Sequence, residues 1–248
     1  LLSAHPDVMF SDELDALMWF DEGFRADQVY TLIKSQNYRY GNRGRRKSGY
    51  SYQLDGSWQY RWDKAPRVIG DSKGRQSIER IAQSEAFVAR LRTITGAALR
   101  VFVQARHPYF IVASEIRHRG WSVAKAVDRV VSDIEAIGLA RSRLAQDEQM
   151  VIYHEDILRS PRAEFDRMFG YLAVDKPRDV LDQCEQKVLS RRSPSLRTFS
   201  RRSPELDRLD EAAKRSDVFA RYFDEEELRV AGLPDNRIIA KIRRRLSR

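Results

Sequence analysis

Residues 99–114 read LRVFVQARHPYFIVAS. Leu99 to Val103 is apolar at four of five positions, as expected of a strand covered on both faces. Pro108 suits the first turn of a helix, where a missing N–H is no loss, and Ile111, Val112 and Ile116 carry that helix onward. Arg106 lies in the turn between strand and helix, and Ser114 follows it by eight residues. Two readings stand side by side. One is a scaffold junction with an ordinary arginine and serine. The other is an anion site, in which a guanidinium makes a bidentate contact, a hydroxyl adds a hydrogen bond, and the helix start contributes free N–H groups.

The same alternation of strand and helix extends outward in both directions. Val8 to Phe10 forms a short apolar run after His5 and Pro6, and Ser11, Asp12 and Glu13 supply a helix start ahead of Leu14, Leu17, Met18 and Phe20. RVIG at 67–70 reads as a strand ending in the polar turn DSKG, and Ser77 to Leu91 carries apolar residues at helical spacing. A long helix is expected from Ser122 to Leu144, a strand from Met150 to Tyr153, and a helix from Pro161 to Tyr171. Strands separated by helices predict an α/β fold, a three-layer sandwich whose mostly parallel central sheet is flanked by helices. Ligands in such folds sit at the carboxyl ends of the strands.

Composition narrows the class. The chain has 248 residues, 42% of them hydrophobic, enough for one well-buried core and a single domain over 1–248. A charged fraction of 33% with formal net charge +9 favours anionic partners, whether nucleic acid, a membrane surface or phosphate and sulfate groups. The single cysteine excludes an internal disulfide framework and a cysteine-rich metal site, and the four histidines are scattered. No apolar stretch reaches the roughly 20 residues of a membrane span, and no signal-like segment precedes the fold, so a soluble cytoplasmic protein that needs no metal is expected.

Two regions depart from the strand–helix rhythm. Residues 38–65 include YSYQL and SWQYRW around Asp55-Gly56, a hairpin signal that reads either as an aromatic, basic flap over a site or as a decorated surface hairpin. Residues 216–248 read as a helical, basic extension. Its cluster Arg243, Arg244, Arg245 and Arg248 is either a solvated helix face or a peripheral contact for an anionic surface.

Taken in order, LLSAHPDVMFSDEL, VIGDSKG, RHPYFIVAS, VIYHEDILRSP and SPSLRTFSRRSPEL resemble successive segments of the sulfotransferase family that uses 3′-phosphoadenosine 5′-phosphosulfate. The resemblance runs through most of residues 1–210 and implies the sulfotransferase variant of the P-loop nucleotide-binding fold. It implies that Arg106 and Ser114 hold the cofactor's 3′-phosphate. Lys73, at a strand end, reads either as neutralising cofactor phosphate or as a solvated turn lysine. Ser195 and Arg197 either close over the adenosine phosphate, as the resemblance implies, or belong to a nonspecifically basic loop. His154 stands where the family usually has a tyrosine near adenine, and Ser72 precedes Lys73 where lysine-threonine is more typical. The family's first loop, of the type P-[RK]-S-G-T-T, is absent from these residues, which leads to the expectation that a segment carrying it precedes Leu1.

Sulfuryl transfer resembles phosphoryl transfer, in which positioning and stabilisation of charge do most of the catalysis. The acceptor must still lose a proton, and Glu13 in HPDVMFSDE is the candidate base, since the protein-tyrosine branch of the family has a glutamate in that role after a similar AHPDV stretch. The alternative is that Asp12 and Glu13 only favour a helix N-terminus. His5 is expected to cap or pack, and Glu155 and Asp156 to tie loop backbone at a strand end. The reading is a sulfotransferase acting on a hydroxyl or amine of a carbohydrate or small-molecule acceptor, releasing adenosine 3′,5′-bisphosphate. A P-loop kinase would need a GK[ST] loop and an acidic magnesium site, neither of which occurs in these residues. A noncatalytic module binding nucleic acid or another polyanion accounts for the charge but lacks a recognition motif.

Overall fold

A computed structural model describes residues 2–43, 46–47, 50–51, 65–189 and 204–224. Strand β1 (Val8–Asp12) is followed by helices α1 (Ala16–Asp21) and α2 (Ala26–Asn42), then by a short antiparallel pair, β2 (Arg46–Lys47) with β3 (Tyr50–Ser51). Next come β4 (Val68–Ser72), α3 (Arg75–Gln83), α4 (Glu85–Thr95), β5 (Val101–Ala105), α5 (Pro108–Arg119) and α6 (Val123–Ser142). The described chain closes with β6 (Gln149–Tyr153), α7 (His154–Arg159), α8 (Pro161–Tyr171), α9 (Arg178–Leu189) and α10 (Pro204–Arg215).

The four longer strands pair as two parallel ladders. β1 runs beside β4 with Val8 opposite Val68 and Asp12 opposite Ser72. β5 runs beside β6 with Val101 opposite Gln149 and Ala105 opposite Tyr153. Among the described residues the expected central sheet therefore consists of two separate ladders. Side-chain alternation shows that the ladders share their covering layers. Val8, Val68, Phe102 and Ile152 pack against Phe165 and Phe169 of α8 and Val180 and Cys184 of α9. On the opposite face of β1, Met9 packs with Phe20, Ile33 and Leu91 of α1, α2 and α4. Val151 and Tyr153 turn the other face of β6 toward α5, α6 and α10. Strands covered by helices on both faces make the three-layer α/β arrangement that their apolar runs predict.

Several boundaries differ from the sequence reading, each for a local reason. β1 continues through Ser11 and Asp12, and α1 starts only at Ala16, because the intervening Glu13 and Asp15 have φ of 66° and 60°, outside helical geometry. The single helix expected over 77–91 is two helices. Ser84, at φ −146°, breaks the run and caps α4 by accepting the Phe87 N–H at 3.1 Å. Tyr38 to Asn42, assigned to the hairpin, complete α2. The Asp55-Gly56 turn lies outside the described residues.

At the other end, three residues of the expected C-terminal extension join the core. Ala220–Phe223 form a 3-10 turn, and Val218, Phe219 and Tyr222 are buried against α5 and α6. The basic cluster Arg243 to Arg248 lies outside the described residues. His5 is buried as expected of a structural histidine: its Nδ1 accepts the Asp7 N–H at 3.0 Å, so Nε2 donates to the Asp175 carbonyl at 2.7 Å. No helix among the described residues is long and apolar enough to cross a membrane.

Candidate functional site

Four residues singled out from sequence occupy equivalent places. Glu13 directly follows β1, Lys73 follows β4, Arg106 follows β5 and His154 follows β6. Because Asp12 pairs with Ser72 and Ala105 with Tyr153, the ladders set Glu13 beside Lys73 and Arg106 beside His154 at their carboxyl ends. This edge is where open α/β sheets take their ligands.

On the first ladder, Lys73 Nζ donates to Glu13 Oε2 at 3.2 Å, and the Glu13 side chain remains 47% exposed. The loop that carries the glutamate is strained. Two left-handed non-glycine residues in three positions cost on the order of 1–3 kcal/mol each, so the loop needs an external anchor. Asp71 supplies it. Its Oδ1 accepts from Ser11 Oγ at 2.6 Å and from Leu14 N at 3.3 Å, and its Oδ2 accepts from Ala16 N at 2.9 Å. The Glu13 N–H donates to the Ser72 carbonyl at 2.8 Å. The sequence reading did not single out Asp71. Its signal is the acidic residue of VIGDSKG, in register with Ser11.

Two glycines in that segment have physical reasons. A Cβ on Gly70 would meet the Phe10 ring, its register partner, at 2.7 Å. Gly74 takes φ 59° and ψ −121°, a conformation essentially reserved for glycine, and so turns the chain directly after Lys73 into α3.

On the second ladder, the Arg106 guanidinium lies 5.3 Å from the centroid of the Phe110 ring, and its Nε is buried with no hydrogen-bond partner among the described residues. Burial lowers the Arg106 pKa from its ordinary value, Glu155 opposes the shift and Arg117 adds to it. Ser114 lies half-buried in α5, one turn beyond Phe110. Burial and the Arg106 charge lower the His154 pKa, so at neutral pH its imidazole is uncharged. Ser195 and Arg197 lie outside the described residues. Among the described residues, no group of three or more His, Cys, Asp or Glu is gathered as a metal ion would require.

Behind Arg106 stands a rigid backing. Glu155 Oε1 accepts the His107 N–H at 3.0 Å, and Glu155 Oε2 accepts the Tyr222 hydroxyl at 2.6 Å. Asp156 holds Arg221 at 2.9 Å. Glu155 thus ties the loop backbone after β5 as expected, whereas Asp156 pairs with arginine side chains. His107 caps α5, its Nδ1 accepting the Tyr109 N–H at 3.3 Å among the rings of Tyr109, Phe110 and Tyr222. Tyr109 in turn donates to Asp210 Oδ1 at 2.6 Å, which links α5 to α10.

Two solved structures are similar to this chain. One is the sulfotransferase domain from the curacin biosynthetic pathway, 17% identical over 67% of this chain and 56% of that one, with a TM-score of 0.38. The other is the sulfotransferase domain from the Synechococcus PCC 7002 olefin synthase, 16% identical over 73% of this chain and 68% of that one, with a TM-score of 0.44. The chain thus spans little more than half the length of the first. No family model and no curated protein matches it. Its chemistry is therefore read from its own side chains.

Proposed function

We propose that the chain is a sulfotransferase that uses 3′-phosphoadenosine 5′-phosphosulfate and sulfates a hydroxyl or amine of a carbohydrate or small-molecule acceptor. The observation that carries this reading is the chemistry at the carboxyl ends of the two parallel ladders. A glutamate–lysine ion pair ends one parallel ladder, and a guanidinium whose buried Nε has no hydrogen-bond partner among the described residues ends the other. The first can move a proton beside a positive charge; the second fits a phosphate.

In this reading Arg106 and Ser114 take the 3′-phosphate by charge-assisted and neutral hydrogen bonds. Glu13 accepts the proton of the acceptor as its oxygen or nitrogen bonds to sulfur. The sulfur–oxygen bond to the 5′-phosphate breaks, and its electron pair stays on the phosphate oxygen, giving adenosine 3′,5′-bisphosphate. Lys73 exchanges Glu13 for that oxygen and offsets its growing charge. His154, uncharged and beside Arg106, is placed to pack against adenine. Ser195 and Arg197 complete the phosphate contacts, and the basic C-terminal residues provide a peripheral hold on anionic surfaces.

Calorimetric titration with adenosine 3′,5′-bisphosphate, followed by sulfate-transfer assays on host metabolites and glycans, tests the proposal. Tight 1:1 binding that Arg106→Ala abolishes is expected. Preference for ATP, or DNA binding that weakens steeply with salt, would overturn it in favour of a kinase or a polyanion-binding module.

A further inference from the structure

Two connections meet at the carboxyl end of the first ladder: the loop from β1 into α1 and the turn from β4 into α3. The Lys73–Glu13 ion pair joins them at the edge, where Glu13 is exposed. A second ion pair joins them farther in. Arg80, on α3, sets its Nε 3.5 Å from Asp15 Oδ1, and the Asp15 side chain is only 12% exposed. Neither atom has a hydrogen bond among the described residues, so the contact between them is one of charge. The same guanidinium donates through Nη1 to Asp21 Oδ2 at 3.1 Å. Asp15 immediately precedes α1 and Asp21 ends it, so Arg80 spans the whole helix. Arg90, on α4, closes the far end of α1 by donating to the carbonyls of Phe20 and Asp21, each at 3.1 Å.

The two bridges fare differently during turnover. In the sulfotransferase reading Lys73 leaves Glu13 for the oxygen of the cofactor's 5′-phosphate, so the bridge at the edge opens while Glu13 must stay beside the acceptor. Asp71 still ties the loop backbone to β4. The link to α3 then depends on Arg80. Without that guanidinium the Asp15 carboxylate would be buried and deprived of its partner, which favours swinging Asp15, two residues from Glu13, out to water.

We propose that Arg80 is a positioning residue that keeps the Glu13 loop in place while Lys73 is engaged with the cofactor. The inference rests on the sulfotransferase reading and adds to it the group that frees the base from dependence on its own ion pair.

The test is hydrogen exchange, read by mass spectrometry on peptides covering residues 11–21, with and without saturating adenosine 3′,5′-bisphosphate. This nucleotide carries the 5′-phosphate that engages Lys73 and requires no acceptor. Wild-type exchange is expected to be no faster with the nucleotide than without it. In Arg80→Ala the bisphosphate should speed exchange by about tenfold or more, the effect of one charge-assisted contact. Asp15→Asn removes the same pair without leaving a buried charge and should respond in the same direction, more weakly. Arg80→Lys should restore part of the protection. A purely structural arginine would loosen the loop equally in both states. If folded Arg80→Ala and Asp15→Asn exchange equally with and without the bisphosphate, or if wild type loosens as they do, the role of Arg80 is overturned and the sulfotransferase reading stands. A wild-type chain that does not bind the bisphosphate overturns both.

Discussion

Lys73 Nζ lies 3.2 Å from Glu13 Oε2, in the register that sets Asp12 opposite Ser72. The pair joins the loops after two neighbouring parallel strands, so a proton acceptor and a fixed positive charge share one edge. Glu13→Gln keeps the shape of the side chain and removes its basicity. Sulfate transfer is expected to fall by about 100-fold or more, with nucleotide affinity little changed. A variant that turns over at the wild-type rate would exclude Glu13 as the base.

Asp71 holds the strained loop on which Glu13 sits. Asp71→Ala removes the acceptor of Ser11 Oγ, Leu14 N and Ala16 N together. Stability should drop by about 2–3 kcal/mol, the cost of stranding buried donors, and turnover should fall more than nucleotide binding. Denaturant melts and a kcat against KM comparison check both. If kcat is unchanged in the folded variant, Asp71 does not position the glutamate.

His107 titrates only in strong acid, because burial, and secondarily Arg106, hold its pKa down at about 4. The unfolded imidazole takes up a proton near its ordinary 6.5, so between about pH 4 and 6.5 the unfolded chain binds more protons than the native one. Stability from this group is complete above that window and is lost as pH falls through it, by up to about 3 kcal/mol. His107→Asn retains a capping oxygen for the Tyr109 N–H and does not titrate. Its pH–stability profile should lose this rise, and an unchanged slope would refute the assignment.

Asp133 acts with the opposite sign. Burial raises its carboxyl pKa to about 6, Arg75 opposes the shift, and Glu79 and Glu115 add to it; Arg129 also pairs with Oδ2 at 3.2 Å. Here the native chain binds more protons than the unfolded one between about pH 4 and 6, so stability from this group falls as pH rises through that window. Asp133→Asn should gain on wild type between pH 4 and 7, steepening the acid-side slope that His107→Asn flattens. Chemical denaturation at several pH values reads both; parallel profiles for wild type and Asp133→Asn would count against the shift.

Much of this was legible in the residues themselves. Apolar runs at 8–10, 101–103 and 150–153 announce strands covered on both faces. Arg106, and Lys73 after VIGDS, can be named because a parallel strand ends at the ligand edge, whereas the roles of Glu13 and His154 come from the family resemblance. Strands and their ends are properties of a short stretch of backbone and its periodicity.

Other features depend on partners distant in sequence. That Glu13 meets Lys73, that Asp71 anchors the β1–α1 loop, and that Tyr222 buttresses Glu155 behind Arg106 are long-range contacts. Residues 216–248 read as one helical, basic extension, yet the chain folds Val218, Phe219 and Tyr222 into the α5–α6 core. Local sequence determined the strands, the helices and the residues at their ends, because dihedral preference and side-chain period act over a few residues. Tertiary structure alone decided which of those ends face one another, because strand register and burial bring together charges that lie tens of residues apart.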